Sequence, residues 1–415
     1  MTSAKRIEDL PAMSELDTSA WGGDFSWVTD DLHQRDYQGL LASPWGDGVV
    51  AYRNEDVVAL QKHPSVTHQT LETMVAELRP AGTPADKGLS GFMAANSFSY
   101  RPPEHRPFKQ LTAERLTPAS LGTYRDDFRR IALDALRKAS RQPSVDCFAE
   151  IAVPVVAKVW SRLIGLTESE ATKLIELGLD LALLNELHLT EEHVTRCNAS
   201  ADEYMALFTG ALRRSVETGE YPVMRALVEA HAAMGDVGRP ADPFAPFASA
   251  LADGFATLPV LVTTVIWAIA EYGLEAPGEA ADADRWAASV FSEVSRIHPP
   301  VLATVRQASE SFDYGGVHVP EGSNIWMMWV FANRDPAAFP EPLDFQPDRP
   351  RRRQVTFSGG AYSCTGLNIA RIVCEEMLKA IAVCGASVRL QEQPSWSSGT
   401  LIHHLEKPNL SISLP

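Results

Sequence analysis

A mainly α-helical protein with small β-sheets is the fold class this sequence predicts, on three observations. Amphipathic helical patterns fill the middle of the chain, strand-like segments are few and short, and a long uncharged run from Gly254 to Ala270 reads as a buried helix. In chain order, GVVAYR at 48–53 is the first strand signal. Helical spacing follows over Thr123 to Ser140 and over Ile151 to Leu166. Thr167 with Glu168 and Glu170 marks the next helix start, where a hydroxyl and a carboxylate three residues apart can satisfy each other's backbone donors. The uncharged run is 17 residues long, contains Pro259 and lies between Asp253 and Glu271. A membrane span needs about 20 apolar residues. The run also extends back to Phe244, so a long soluble helix crossing the centre of the protein is expected. GGVHVPEGSNIWMMWV at 315–330 has a Gly/Pro-punctuated hairpin pattern, and Leu410 to Leu414 is the last strand signal. Short Pro/Gly-rich breaks at 79–88, 235–243 and 273–284 read as surface loops.

Of the 415 residues, 45% are hydrophobic and 22% charged, enough apolar material for a large core and too little polarity for disorder. Lys and Arg number 37 against 53 Asp and Glu, and the resulting net charge of -16 opposes a phosphate backbone, which excludes a general nucleic-acid binder. Five cysteines, at 147, 197, 364, 374 and 384, form neither CxxC pairs nor a dense scaffold pattern, so a reducing compartment fits. The first residues lack the apolar core of a signal peptide, and a cytoplasmic, membrane-free protein is expected.

The chemistry concentrates at Phe357 to Gly366 (FSGGAYSCTG), followed by helical spacing of Leu367, Ala370, Val373, Met377 and Ile381. Unpaired N–H groups and the positive end of that helix favour a thiolate at Cys364, the form that ligates a metal. Gly359, Gly360 and Gly366 leave backbone bare where a flat cofactor could approach. On this segment alone, a metal ligand and a buried free cysteine stay open. A phosphate loop lacks its glycine spacing and its Gly-Lys-Ser/Thr, and a zinc site lacks clustered ligands.

Glu293 and Arg296 lie three residues apart on one helix face, just before His298-Pro-Pro. Alone they read as a surface ion pair. In order there then come Arg306, ANRDPAAF at 332–339, FQPDRP at 345–350 and the cysteine loop. With these motifs the chain resembles the cytochrome P450 family over nearly its whole length, as a single domain over 1–415.

The resemblance implies that Cys364 is the axial thiolate of haem b, whose electron donation favours O–O cleavage. Phe357 matches the aromatic residue shielding the thiolate, and Gly360 the tight turn beneath the haem. Glu293 and Arg296 become a buried structural pair tied to the segment before the cysteine loop. Donors to the haem propionates are implied at His105, at Lys109 where Arg is usual, at Arg306, and at Tyr362 where His or Arg is usual. Lys cannot make the two-pronged contact of Arg, and Tyr donates one neutral hydrogen bond, with simple packing as its other reading. In the family an acid followed by an alcohol on the central helix delivers protons. Here Ala256 stands at the acid position and Thr257 at the alcohol, with Asp253 one turn away as a substitute. A register shifted by one residue would lose both groups, at Phe255 and Ala256.

The resemblance places the substrate pocket around Met93, Phe98 and Tyr100, Leu181 to Leu187, Leu251 and Phe255, Val301 to Thr304, and Thr400-Leu401, for a medium or large, partly apolar organic molecule. Electrons are expected from NAD(P)H through a reductase and a ferredoxin, with no reductase domain fused to the chain. The ferredoxin would dock on Arg349, Arg351, Arg352 and Arg353 with Arg106 and Lys109. Ordinary oxygen insertion, oxidative coupling or ring formation, peroxide-driven turnover, and a catalytically silent recruiting partner are the readings this leaves, the last opposed by the retained Cys364.

Overall fold

The computed structural model describes residues 4–13, 29, 32, 33, 39–69, 84, 87–96, 105–232, 242–277, 280–350 and 353–415, leaving aside the side chains of 105, 106, 222, 230, 280 and 281. Helices dominate. The Thr123 to Ser140 pattern is the helix Arg125–Ala139, with Asp126 and Asp127 in its first turn and Arg137 and Lys138 in its last, which complements the helix dipole at both ends. Val153–Ile164 follows a π turn at Cys147–Ala152, and the expected reciprocal cap of Thr167 and Glu170 starts Glu168–Ala182.

The uncharged run is the middle of a 27-residue helix, Ala245–Glu271, called here the central helix. Among the described residues it is the one helix long and apolar enough to cross a membrane, and it is mostly buried within the protein. It packs against Glu168–Ala182, Glu191–Thr218 and the helix that follows the cysteine loop, Leu367–Cys384. That last helix also packs on Arg125–Ala139 and on Ala280–Ile297. Its fully buried Glu376 is satisfied by Arg125, Arg129 and Lys379 at 2.7, 2.7 and 2.8 Å. A buried carboxylate requires such pairing.

The small sheets sit beside the helices. Gly48–Ala51 pairs parallel with Asn324–Met327, which pairs antiparallel with Thr304–Ala308, inside a five-stranded sheet. Gly48 is required there: a Cβ would lie 1.9 Å from the Asn324 carbonyl oxygen. The hairpin expected within 315–330 is displaced by one strand. Phe312–Tyr314 turns back on Val317–Val319, and Asn324–Met327 leaves to join the larger sheet. Its buried Ile325 and Met327 alternate with Trp326, which faces another environment, and that two-sided burial belongs to an internal strand. The terminal strand is Asn409–Ser413, paired with Ser387–Leu390 and Val145–Asp146.

Candidate active site

Two walls enclose a cavity of about 660 Å³, one built on the cysteine loop and the other on the central helix. The cysteine loop is tied down before it reaches the sulfur. Thr356 Oγ1 donates to the Ser295 carbonyl at 2.7 Å and Gln354 Nε2 to that of Ser292 at 3.3 Å, both on Ala280–Ile297. The Cys364 N–H then closes on the Phe357 carbonyl at 2.8 Å. Gly360 has φ +64°, and a Cβ there would meet the Gln61 carbonyl oxygen at 2.5 Å. The turn therefore needs glycine for its own backbone and for its fit against Gln61. Gly366 differs: its added Cβ would make only an ordinary 3.8 Å contact with Cys364 Sγ, and the residue lines the cavity.

The same helix as Glu293 and Arg296 thus supports the loop, and this pair is buried, at 4% and 2% exposure. Arg296 makes a two-pronged contact to Glu293 at 2.9 and 2.7 Å and donates onward to the carbonyls of Asn333 and Pro342. Arg349 completes the cluster, its Nε 3.2 Å from Glu293 Oε1. This corrects the expected docking surface, because the Arg349 side chain is buried in an ion cluster. Lys109 is corrected likewise. From the helix His105–Arg115 its ammonium reaches inward to the Ser363 carbonyl and Thr365 Oγ1, both at 2.7 Å. Arg353 is exposed, while Arg351, Arg352 and the side chains of Arg106 and His105 lie outside the described residues.

Cys364 is the one cysteine of five that borders the cavity; Cys147, Cys197 and Cys374 are buried elsewhere. Its sulfur presents accessible surface to the cavity although protein surrounds it. Burial holds its thiol above the ordinary value, against the pull of the Gly366 and Leu367 N–H groups and of Lys109. The helix-start donors expected from the sequence are present, but desolvation outweighs them. Coordination to a metal would remove the proton.

Arg306 lines the cavity at 5% exposure, and its guanidinium donates to Thr304 Oγ1 and to the Val305 carbonyl, with no carboxylate partner among the described residues. Burial lowers it to about 10, and burial likewise brings Lys109 down to about 8. A buried guanidinium with no acid among the described residues suits an anionic group. Tyr362 packs beneath Arg306, 5.2 Å from ring centre to guanidinium carbon, and edge-on to His68. A sulfur facing a large cavity, a bare glycine beside it and an acid-free buried guanidinium fit a haem with its propionates.

On the other wall, Ala256 and Thr257 line the cavity. The Thr257 hydroxyl donates to the Asp253 backbone carbonyl at 2.7 Å, so its proton is held within the helix. The Asp253 carboxyl faces the cavity, and burial raises its pKa while Lys109 opposes the rise. Phe255 does not line the pocket. It stacks on Trp160 at 4.5 Å and meets Tyr204 and Phe208 edge-on in the core, because helical phase carries it away from its neighbours' face. Met93, Leu181, Leu251, Val301 and Leu401 line the cavity as expected; Thr400 lies behind it, and Phe98 and Tyr100 are outside the described residues.

Several lining groups carry no motif. Trp326 could have been found from the alternation of its strand. Ser358 could not: it adopts φ +57°, rare for a residue with a side chain, and its buried hydroxyl has no partner.

Fold and site together fit the haem-thiolate class of protein. The cytochrome P450 family model matches residues 287–381, which span the Glu-Arg pair through the cysteine loop. Cyclomarin C epoxidase CymV of Salinispora arenicola is 23% identical over 83% of this chain and 85% of its own length. The beta-dihydromenaquinone-9 omega-hydroxylase of Mycobacterium tuberculosis is 22% identical over 91% of this chain and 75% of its own. Among solved structures, CalO2 superposes with a TM-score of 0.79 at 17% identity, covering 94% of this chain and 96% of that one. P450BioI, solved in complex with an acyl carrier protein ligated to hexadec-9Z-enoic acid, does so with 0.77 at 19%, covering 94% and 98%. The family match and these likenesses together support a bacterial-type cytochrome P450, an oxidoreductase of the monooxygenase class.

Proposed function

We propose that the chain works as a single domain that binds haem b through Cys364 and oxidises a medium or large, largely apolar organic molecule. One observation carries the reading: of five cysteines, only Cys364 borders the cavity, and it shares that cavity with Thr257 and Asp253. Arg306 and Lys109 would hold the propionates, with Tyr362 packed under Arg306 as a positioning residue. Phe357 lines the cavity beside the sulfur and keeps its surroundings apolar. When bound, haem supplies activation of O2 with two electrons, delivered from NAD(P)H by a reductase and a ferredoxin.

Proton handling falls to the central helix. Ala256 carries no proton, and the Thr257 proton is held by the Asp253 carbonyl, which leaves the Asp253 carboxyl as the acid of this turn that can hold a proton at the cavity. The same observation favours a second reading, oxidative coupling, ring formation or peroxide-driven turnover, which place less demand on a proton relay. The two relatives with printed oxidations, an epoxidase and a hydroxylase, support oxygen insertion as the first.

The test is optical. The purified protein should give the strongly red-shifted band of a reduced thiolate-haem carbonyl complex, and a screen of candidate metabolites should perturb the haem band, with product analysis separating insertion from coupling. A carbonyl complex without that band overturns the reading.

A further inference from the structure

The cavity contains a carboxyl group, that of Asp253, on which Lys109 acts only through space. Asp253 lies more than two turns inside the central helix, beyond the first turn where the helix dipole would favour an anion. Its side chain makes no hydrogen bond and no ion pair among the described residues. Both neighbouring cations are engaged elsewhere: Lys109 donates to Ser363 and Thr365, and Arg306 to Thr304 and Val305. The Thr257 hydroxyl, one turn along the helix, bonds the Asp253 backbone carbonyl rather than its carboxyl, and the Ser249 hydroxyl, one turn back, bonds the Phe92 carbonyl. Around it the lining is largely apolar, with Phe92, Met93, Leu181, Leu184, Leu251 and Val301.

A carboxylate facing so apolar a lining gains from a partner of opposite charge, and the fold has left its acceptor oxygens open to the cavity. The complement is a compact cation on an apolar body. We infer that Asp253 anchors the positively charged nitrogen of an otherwise apolar substrate, an amine or quaternary ammonium compound. The inference rests on the proposed function and deepens it by naming a substrate class. The anchor also fixes orientation: a charged nitrogen held at Asp253 sets which carbons of the apolar body come near Cys364.

Benzyltrimethylammonium and neopentylbenzene, its uncharged isostere, separate charge from shape, and neither can ligate iron through nitrogen. Binding to the haem-loaded protein is read by calorimetry and by the haem band. Asp253→Asn should weaken the cation roughly tenfold or more while the isostere changes by less than about twofold, and Asp253→Glu should restore the cation. In a second measurement, on the unaltered protein, the cation should shield Asp253 from carbodiimide modification, mapped by mass spectrometry, and the isostere should shield it less. Equal effects of Asp253→Asn on both compounds, or equal shielding by both, overturn the anchor. If that result comes with an intact thiolate-haem band, the anchor alone falls; if the unaltered protein lacks the band, the reading beneath it falls too.

Discussion

The two walls of the cavity are held in opposite ways. The cysteine loop is strapped to Ala280–Ile297 through Thr356 and Gln354, and that helix is itself fastened by the cluster of Glu293, Arg296 and Arg349. On the central helix the corresponding turn carries an alanine, a threonine folded back on its own backbone, and a carboxylate without a partner. Bonding on the first wall defines one place for a sulfur atom. The second wall leaves open acceptors, as a surface does when it meets variable molecules. On the proposed function, the contrast places the common chemistry and the particular substrate on different elements of this protein.

The largest effect expected on the first wall is all-or-none. Cys364→Ala should abolish the red-shifted carbonyl band, and Cys374→Ala, about two turns into the following helix and buried in the core, should leave it; the reverse outcome would break the comparison at its base. Next, Glu293→Ala leaves Arg296 and Arg349 without their carboxylate, and should cost about 3 to 5 kcal/mol in denaturant unfolding. A loss below about 1 kcal/mol, the size of an exposed pair, would show that the cluster does not hold this wall. Gly360→Ala should cost about 1 to 3 kcal/mol, because the left-handed backbone and the Gln61 carbonyl both resist a Cβ. An unchanged midpoint would mean that the turn yields freely.

The second wall should respond least. A positioned proton donor is worth about 10² to 10⁴ in rate where proton transfer limits the reaction. With Thr257 bonded inside its helix, Thr257→Ala should lower product per NAD(P)H consumed only a few-fold with the true substrate, and Ala256→Asp should not raise it. A collapse in the first variant, or a large gain in the second, would show that the acid and alcohol relay governs this enzyme and that the two walls are equally constrained.

What could be read in advance divides along the same line. The cysteine loop, the Glu-Arg pair and the central helix were legible because each is carried by local residue order: a glycine turn before a helix, a three-residue spacing, a long uncharged run. Arg349 was misread as surface charge because its partner, Glu293, is 56 residues away, and nothing local shows that it is buried. Phe255 was misplaced in the pocket, whereas its ring packs into the core. Apolarity does not reveal helical phase, and only the packing of Trp160 and Tyr204 against Phe255 settles which face turns inward. The hairpin was displaced because a parallel partner, Gly48–Ala51, lies far away in sequence and competes for Asn324–Met327.

The bonds from Thr356 and Gln354 to Ala280–Ile297 also bear on what orders the cysteine loop. Ordering a residue's backbone costs about 1 to 2 kcal/mol of entropy, and in this loop that ordering is provided by protein groups alone. The position of Cys364 is therefore fixed at a distance, by hydrogen bonds to a helix that contributes no atom to the sulfur's own turn.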